Sequence, residues 1–292
     1  KKWSFSKINK NKLINNLLYH EILLEDLYDN TIYNIYQLFP RSNKVYIKPN
    51  TECKSLVIYG SNLESNLGNK KYTSIVNYMV NIPNNILYIL TGIILSDGHI
   101  DIRISKDKRI IKGLTTTNNG RFYLKQSIKH VEYILYVFNL LSHYCLSPPK
   151  LKKSHLKGKI FYAVEFYTRS LPCFTILRNK FYNGRIKIIP NDLYELINYE
   201  SLAHIIMGDG SLNKGGGITL NLQNFTLKEL IYFMNILQIK FDLDCTLHKS
   251  RNQYVVYIKV NSVKKLYKEI YPFIIPSMKY KFDKKLFEMD NK

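Results

Sequence analysis

Asp97 and Asp209 are the residues of this sequence with the clearest chemical potential. Each precedes a glycine and closes an apolar segment of helical character, LTGIILSDG at 90–98 and LAHIIMGDG at 202–210. A carboxylate at the C-terminal end of a helix is repelled by the negative end of the helix dipole, so a cation is expected nearby. A divalent ion such as Mg²⁺ meets that need, because hard cations prefer carboxylate oxygens.

An Asp-Gly pair alone is also an ordinary turn after a core helix. Here the arrangement occurs twice, and each segment carries small residues that would let two helices pack closely. Helices paired about a pseudo-twofold axis would bring both carboxylates together, where they could hold ions that act on phosphodiester bonds of opposite strands. The small residues are Gly92, Ser96, Ala203 and Gly208.

We also expect Gly98 and Gly210 to adopt the left-handed conformation that often ends a helix.

The elements that follow the two segments predict a duplicated domain. Each segment leads into a polar, strand-like stretch and then a glutamine, Gln126 or Gln223, that opens a helical pattern. The interval from Gln126 to Lys187 nearly equals that from Gln223 to Lys281. The stretch ITLNLQ at 218–223 alternates apolar and polar residues, as a half-buried strand does. Two such sheets would offer a polar surface wide enough for duplex DNA.

The charge balance points to a polyanionic partner. The chain has 43 Lys and Arg against 22 Asp and Glu, a formal net charge of +21, and 46% of its residues are hydrophobic, which indicates a globular protein. Nucleic acid is the favoured partner, and an anionic membrane surface is the alternative. The basic runs at 106–112 and 150–159 are predicted to contact phosphate, although such a run is also commonly a solvated face.

Cysteine spacing and apolar length exclude several other classes. The four cysteines form no C-x-x-C pair, so neither a zinc knuckle nor a disulfide framework is expected. No apolar stretch reaches the roughly 20 residues that span a bilayer, and the basic start is no secretory signal, although a transit peptide stays open. His99, His204 and His248 are expected to be structural. The cysteines, expected to be reduced and buried, are Cys53, Cys145, Cys173 and Cys245.

The two segments resemble the paired signature of the LAGLIDADG family. CLSPPKLKK at 145–153, KIIPNDL at 187–193 and IIPSMKYKF at 274–282 resemble the single-chain, two-repeat branch of fungal mitochondrial introns, and the abundance of residues with AT-rich codons agrees with such a genome. The resemblance covers about residues 86–285. The sequence departs from the family pattern at the sixth motif position, which is not acidic, and at the third position of the second motif, which is His204.

The resemblance implies a mixed α+β fold of two pseudo-twofold-related αββαββα repeats. Their antiparallel sheets would form a saddle over the DNA major groove, with the signature helices at the interface. The implied organisation is an N-terminal extension at 1–85, a first repeat at 86–191 and a second repeat at 192–292.

The implied activity is that of a site-specific double-stranded DNA endonuclease for intron homing, a monomer located in the mitochondrion that uses Mg²⁺, with Mn²⁺ as a substitute. The alternatives are a group I intron RNA maturase, with or without cleavage, and a transcription-regulator-like DNA binder. The implied metal ligands are Asp97 and Asp209 with Gly208 and Ser96. The implied catalytic residues are Asp97, Asp209, Lys187, Lys281, Gln126 and Gln223. The predicted nucleic-acid contacts are Lys106, Lys108, Arg109, Lys112, Arg121, Lys125, Lys150, Lys152, Lys153, Lys157, Lys159, Thr219, Asn221, Lys249 and Arg251.

Overall fold

A computed structural model of the protein describes residues 72–102, 119–156, 158–250 and 252–282. These residues form two compact units. The first unit contains the described residues up to Met79 together with Tyr123–Arg169, and the second contains those of Val80–Phe122 and those from Ser170 onward. The predicted contacts that lie outside the described residues are Lys106, Lys108, Arg109, Lys112, Lys157 and Arg251.

Helices and antiparallel strands alternate along the described chain, which confirms the predicted mixed α+β class. The helices are α1 (Ser74–Met79), α2 (Asn84–Leu95), α3 (Val131–Leu141), α4 (Pro172–Phe181), α5 (Leu193–Leu196), α6 (Tyr199–Asp209), α7 (Leu227–Phe241) and α8 (Val260–Ile270). The strands are β1 (His99–Ile102), β2 (Gly120–Ser127), β3 (Lys150–Leu156), β4 (Lys159–Tyr167), β5 (Tyr182–Asn183), β6 (Ile186–Lys187), β7 (Gly210–Leu212), β8 (Ile218–Leu220), β9 (Cys245–Ser250) and β10 (Gln253–Ile258).

Local signals in the sequence explain where two helices of the second unit, α6 and α7, begin. Helix α6 starts with a capping box, in which the side chain of Asn198 accepts from the Ser201 amide and the Ser201 hydroxyl accepts from the Asn198 amide. Helix α7 starts in the same way with Thr226 and Glu229. Such reciprocal bonds satisfy amide donors that the first helical turn leaves without an intrahelical acceptor.

In the first unit, strand β4 lies between β2 and β3, and all three are antiparallel. Leu124, Val164 and Phe166 are buried, and helix α3 packs on β4, where the Phe138 and Phe166 rings meet edge to face at 5.5 Å. Because side chains alternate along a strand, the residues between the buried ones project on the other face. That face of the first unit is polar.

In the second unit, strand β10 lies between β8 and β9, again antiparallel. Ile218, Leu220, Val256 and Ile258 are buried, and helix α7 packs on β9 and β10. The predicted alternation at 218–223 is present, with the strand itself ending at Leu220. Helix α8 buries a stripe of residues three or four positions apart, as an amphipathic helix does.

The strand order supports the predicted duplication. The two four-stranded sheets have the orders β1-β2-β4-β3 and β7-β8-β10-β9, which correspond strand for strand. Strand β2 belongs to the second unit up to Phe122 and to the first unit from Tyr123. Helices α2 and α6, which contain the two signature segments, directly precede β1 and β7. The repeat boundaries at 86–191 and 192–292 stay a prediction.

Helices α2 and α6 pack against each other in the second unit. A Cβ atom added at Gly92 would lie 2.3 Å from the carbonyl oxygen of Ser201 and 2.9 Å from the Cβ of His204, so only glycine fits there. The Ser201 hydroxyl also donates a 2.8 Å hydrogen bond to the carbonyl oxygen of Tyr88. The predicted close approach of the two helices is therefore present, and His204 on α6 faces a glycine on α2.

The expectation that Gly98 and Gly210 are left-handed is wrong. Neither has a positive φ, and Gly210 is extended, with φ −74° and ψ 142°. A strand follows each Asp-Gly pair almost at once, which requires extended backbone rather than a left-handed cap. The glycines are needed for space instead: an added Cβ would lie 2.8 Å from Ile93 Cγ2 at Gly98 and 2.5 Å from the Ile206 carbonyl oxygen at Gly210.

Two further expectations concern thiols and membranes. Cys145 and Cys173 are buried free cysteines and Cys245 is a half-buried one, while Cys53 lies outside the described residues. Within the ranges that the structure describes, no helix has the length and apolarity to span a bilayer.

Candidate active site

The site lies where α2 and α6 end. Asp97 lies two residues after Leu95, the last residue of α2, and is exposed, whereas Asp209 is the last residue of α6 and is half-buried. A Cβ atom added at Gly208 would lie 2.6 Å from the Ser96 hydroxyl oxygen and 3.2 Å from Asp97 Oδ2. The peptide that leads into Asp209 therefore lies against the carboxylate of Asp97. Residues remote in sequence are brought together as the spacing of the motifs predicts.

Two lysines lie beside the two acids in matching positions. Lys187 ends strand β6, and its Nζ donates to the carbonyl oxygens of Ser96 at 2.9 Å and Gly98 at 3.0 Å. Lys281 ends a 3-10 helix, and its Nζ donates to the carbonyl oxygen of Gly208 at 2.6 Å. Each lysine thus holds the carbonyl of the residue that precedes one acid. All of these residues belong to the second unit.

Burial and like charge dominate the electrostatics of this cluster. Burial, followed by the neighbouring charge of Asp97, raises the pKa of Asp209 to about 7, although Lys187 and Lys281 act in the opposite direction. Burial lowers the pKa of Lys187 to about 8 and also lowers the pKa of Lys281, and in both cases the two carboxylates oppose the shift. The site therefore disfavours a second negative charge unless a further cation is present.

The donor set fits a hard divalent cation that keeps part of its hydration shell. It offers two carboxylates and the nearby peptide oxygens of Ser96 and Gly208, and all of these donors are oxygens. Among the residues that the structure describes, no group of three or more His, Cys, Asp or Glu could form a closed metal cage. Mg²⁺ is commonly bound by one or two carboxylates, with water and substrate phosphate as the remaining ligands.

The other residues predicted near the chemistry lie on different elements. Gln126 lies in β2 opposite Val164 in the first unit, and Gln223 lies in the turn between β8 and α7. Asn221, whose predicted contact with DNA stays a prediction, donates from Nδ2 to the carbonyl oxygen of Asp209 at 2.8 Å. It thereby helps to hold Asp209 in place, a role that strand alternation alone does not suggest.

The histidines differ in their environments. His204 is fully buried between the helices, and burial lowers its pKa to about 3, in agreement with the expected structural role. Burial and the charge of Lys187 lower the pKa of His99, which opens strand β1 beside the site. His248 is exposed, and its ring stacks on that of Tyr257 at 4.8 Å.

The polar face of the first unit carries four of the seven predicted basic contacts that lie within the described residues. Strand register places Lys125, Lys150 and Lys152 on the face of Glu165, opposite the buried core. Lys159 shares that face, whereas Lys153 pairs with Tyr162 on the helix-covered side. Arg121 lies in the second unit, where it forms a 2.9 Å ion pair with Asp101.

The polar face of the second sheet is mostly uncharged. Thr219 and Thr246 both lie opposite Tyr257, Asn213 Nδ2 donates to the Thr219 hydroxyl at 2.8 Å, and the Thr246 hydroxyl lies 3.0 Å from His248 Nε2. Lys249, predicted as a contact, lies on the side of Val256. Sequence reasoning did not single out Tyr257 on this face or Glu165 on the polar face of the first unit, because their positions depend on strand register.

Comparisons with known proteins identify the family of the chain. The sequence model of the LAGLIDADG DNA endonuclease family matches residues 87–266. The chain is 32% identical over 217 residues to a cytochrome b mRNA maturase of Debaryomyces hansenii, covering 72% of this chain and 78% of the relative. It is 32% identical over 192 residues to a probable intron-encoded endonuclease of Wickerhamomyces canadensis, covering 62% and 78%. The solved structure of the homing endonuclease I-WcaI bound to its DNA recognition sequence matches with a TM-score of 0.62 and 27% identity, covering 74% of this chain and 96% of that one.

Proposed function

Because the chain belongs to the LAGLIDADG DNA endonuclease family, we propose that it is a site-specific endonuclease that cuts both strands of a DNA duplex in intron homing. The observation that carries this proposal is the repeated arrangement of an acid and a lysine at one site: Asp97 with Lys187, and Asp209 with Lys281. Two such sets suit the cleavage of two phosphodiester bonds, one in each strand of the duplex.

We propose that Asp97 and Asp209, with the peptide oxygens of Ser96 and Gly208, hold divalent cations, Mg²⁺ or in its place Mn²⁺. Such ions supply an activated water and stabilise charge on the leaving oxygen. Lys187 and Lys281 donate to the carbonyls beside the acids and add positive charge where phosphate oxygens become more negative. The lowered pKa of Lys187, about 8, also lets this amine exchange a proton near neutral pH.

The remaining assignments are part of the same proposal. The repeats span 86–191 and 192–292 after an extension at 1–85, and Gln126 and Gln223 are polar neighbours of the chemistry. One chain contains both acid and lysine sets, so a monomer is sufficient for double-strand cleavage. The basic and polar side chains of the two sheets contact DNA, with phosphate contacts setting the register and base contacts the specificity. The relatives are named a cytochrome b mRNA maturase and a probable intron-encoded endonuclease, and these names support the proposed location of the chain in the mitochondrion.

A second candidate function is RNA maturation, because the Debaryomyces hansenii relative is named a maturase. The same positively charged protein could bind the RNA of a group I intron and assist its splicing. Such a role makes no use of the paired acids, so it should survive their replacement. The two functions are also compatible within one chain.

Plasmid cleavage tests the proposal. A plasmid that contains the intronless exon junction should be linearised by the full chain in Mg²⁺, and Asp97→Asn and Asp209→Asn should abolish cutting while binding persists. Sequence-specific binding without cutting in either Mg²⁺ or Mn²⁺ would indicate a transcription-regulator-like DNA binder instead. Splicing assistance that survives both substitutions would establish the maturase role.

A further inference from the structure

Glu165 is a carboxylate on the face of the first unit that carries its basic residues. It lies in β4, the central strand, and Lys125 and Lys150 stand directly opposite it on the two neighbouring strands. Its relative exposure is only 5%. A carboxylate there repels DNA phosphate, and its burial costs free energy unless partners satisfy it. Its presence therefore requires a role other than contact with the DNA backbone.

Three side chains, two tyrosines and a lysine, contact the carboxylate of Glu165. The Tyr123 hydroxyl donates to Oε2 at 3.1 Å, and the Tyr167 hydroxyl donates to Oε1 at 3.4 Å. Lys152 Nζ lies 3.3 Å from Oε1. The side chain of Lys152 is 52% exposed, whereas that of Glu165 is 6% exposed. The carboxylate is thus below the surface and the ammonium is at it.

This arrangement changes what Lys152 can offer to DNA. Its charge is compensated locally, so it adds little to the release of counterions that drives phosphate binding. Its head group is also held in place, so less side-chain entropy is lost when a ligand binds. The ion pair engages one of the three ammonium donors and leaves two. Two donors at a fixed point match a guanine, which presents O6 and N7 together in the major groove.

We propose that Lys152, held by Glu165, reads a guanine of the DNA target, and that Glu165 is a positioning residue for this specificity contact. The inference rests on the proposed site-specific DNA binding. Lys159, on the same face and exposed, serves as the contrast: it contacts phosphate and carries no base preference.

Selection from a randomised double-stranded DNA library tests the assignment, with the full chain in an Asp97→Asn background so that bound DNA is not cut. Lys152→Met should relax the preference for guanine at one position by about 5- to 150-fold and leave the salt dependence of binding nearly unchanged. The matched control, Lys159→Met, should weaken binding to all sequences alike and reduce the slope of log K against log salt by about 0.9.

Glu165→Gln separates positioning from simple packing, because it retains the shape of the side chain and removes only its charge. It should relax the preference at the same position as Lys152→Met and should increase the salt slope by about 0.9, since Lys152 is then uncompensated. Circular dichroism and the melting temperature check that each variant is folded. If Glu165→Gln does not fold, Lys152→Met and its control still decide the assignment.

The outcomes are distinct. An Asp97→Asn chain that selects no sequence would refute the proposed site-specific function. An Asp97→Asn chain that selects a sequence, with the added Lys152→Met change selecting the same one, would refute only the guanine contact. A Lys152→Met variant that behaves like Lys159→Met would make Lys152 a phosphate contact and overturn the inference.

Discussion

Lys187 donates a 2.9 Å hydrogen bond to the carbonyl oxygen of Ser96, the residue immediately before Asp97. Lys281 makes the matching bond to the carbonyl of Gly208, immediately before Asp209. In each case an ammonium group from a distant segment is held at the C-terminal end of a signature helix, where the helix dipole favours positive charge. The two lysines therefore bind the backbone that presents the acids and also bring charge to the place of reaction.

Removing either ammonium should slow cleavage far more than it weakens binding. Loss of one preorganised donor commonly costs about 10²–10³-fold in rate, so Lys187→Met and Lys281→Met should each fall in that range. Single-turnover nicking, measured separately for the two strands, is the assay. Lys180→Met is the control, because Lys180 forms an ion pair with Asp192 outside the site. Wild-type rates in both site variants would exclude a catalytic role for the lysines.

Gly92→Ala should destabilise the protein by separating α2 from α6. The added Cβ would lie 2.3 Å from a backbone oxygen, which cannot move independently of its helix. Overpacking of this kind costs about 1–3 kcal/mol, and a helix-propensity gain of about 1 kcal/mol does not reverse it at so close a contact. Urea unfolding measures the difference. Gly215→Ala, where an added Cβ meets nothing within 4 Å, should stay within about 0.5 kcal/mol of wild type.

Metal should stabilise the folded chain more strongly at alkaline than at acidic pH. The folded-state pKa of Asp209, about 7, exceeds its ordinary value of 3.8, so the stability it contributes in the metal-free protein is present at low pH and lost as pH rises through about 7. A cation needs the ionised form, and Mg²⁺ should therefore raise the Tm more at about pH 8 than at about pH 5.5. Asp209→Asn should remove that difference. An equal rise at both pH values would contradict the assignment of Asp209 as a ligand.

His204 should make the protein less stable in mild acid. Its folded-state pKa of about 3 lies below the ordinary 6.5, so its contribution is complete above pH 6.5 and is lost as pH falls toward 3. The slope of unfolding free energy against pH should differ between wild type and His204→Leu by up to about 1.4 kcal/mol per pH unit in this window. Denaturant unfolding at several pH values provides the comparison. Parallel curves for the two proteins would mean that the imidazole is not buried in its neutral form.

Much of the architecture follows from patterns that can be read along the chain. The two signature segments, their spacing and the alternation at 218–223 predict the paired helices and the half-buried strand, because each depends on local periodicity. The position of Asp97 against Gly208 follows from the duplication, since similar segments at similar intervals pack as symmetric partners.

Other properties could not be predicted because non-local geometry decides them. Lys153 and Lys249 are predicted DNA contacts, but strand register places both on the side of their sheet away from its polar face. A shift of one residue along a strand exchanges the two faces, and composition does not encode that shift. Glu165 was missed for a related reason: its partners Tyr123 and Lys152 come from two other strands. Gly98 and Gly210 were assigned a backbone conformation when their small size was the requirement.

The close approach of Gly92 and His204 also shows a difference between the two halves of the chain, because one motif has glycine and the other has histidine at this position. These residues occupy the third position of their respective motifs, and the absence of a side chain at Gly92 leaves room for the Cβ of the buried His204. Two copies of the second half would place a histidine opposite a histidine, where a Cβ added at Gly92 already lies 2.9 Å from the His204 Cβ, so such a pair of helices could not pack as closely. The two halves are therefore not interchangeable at this contact.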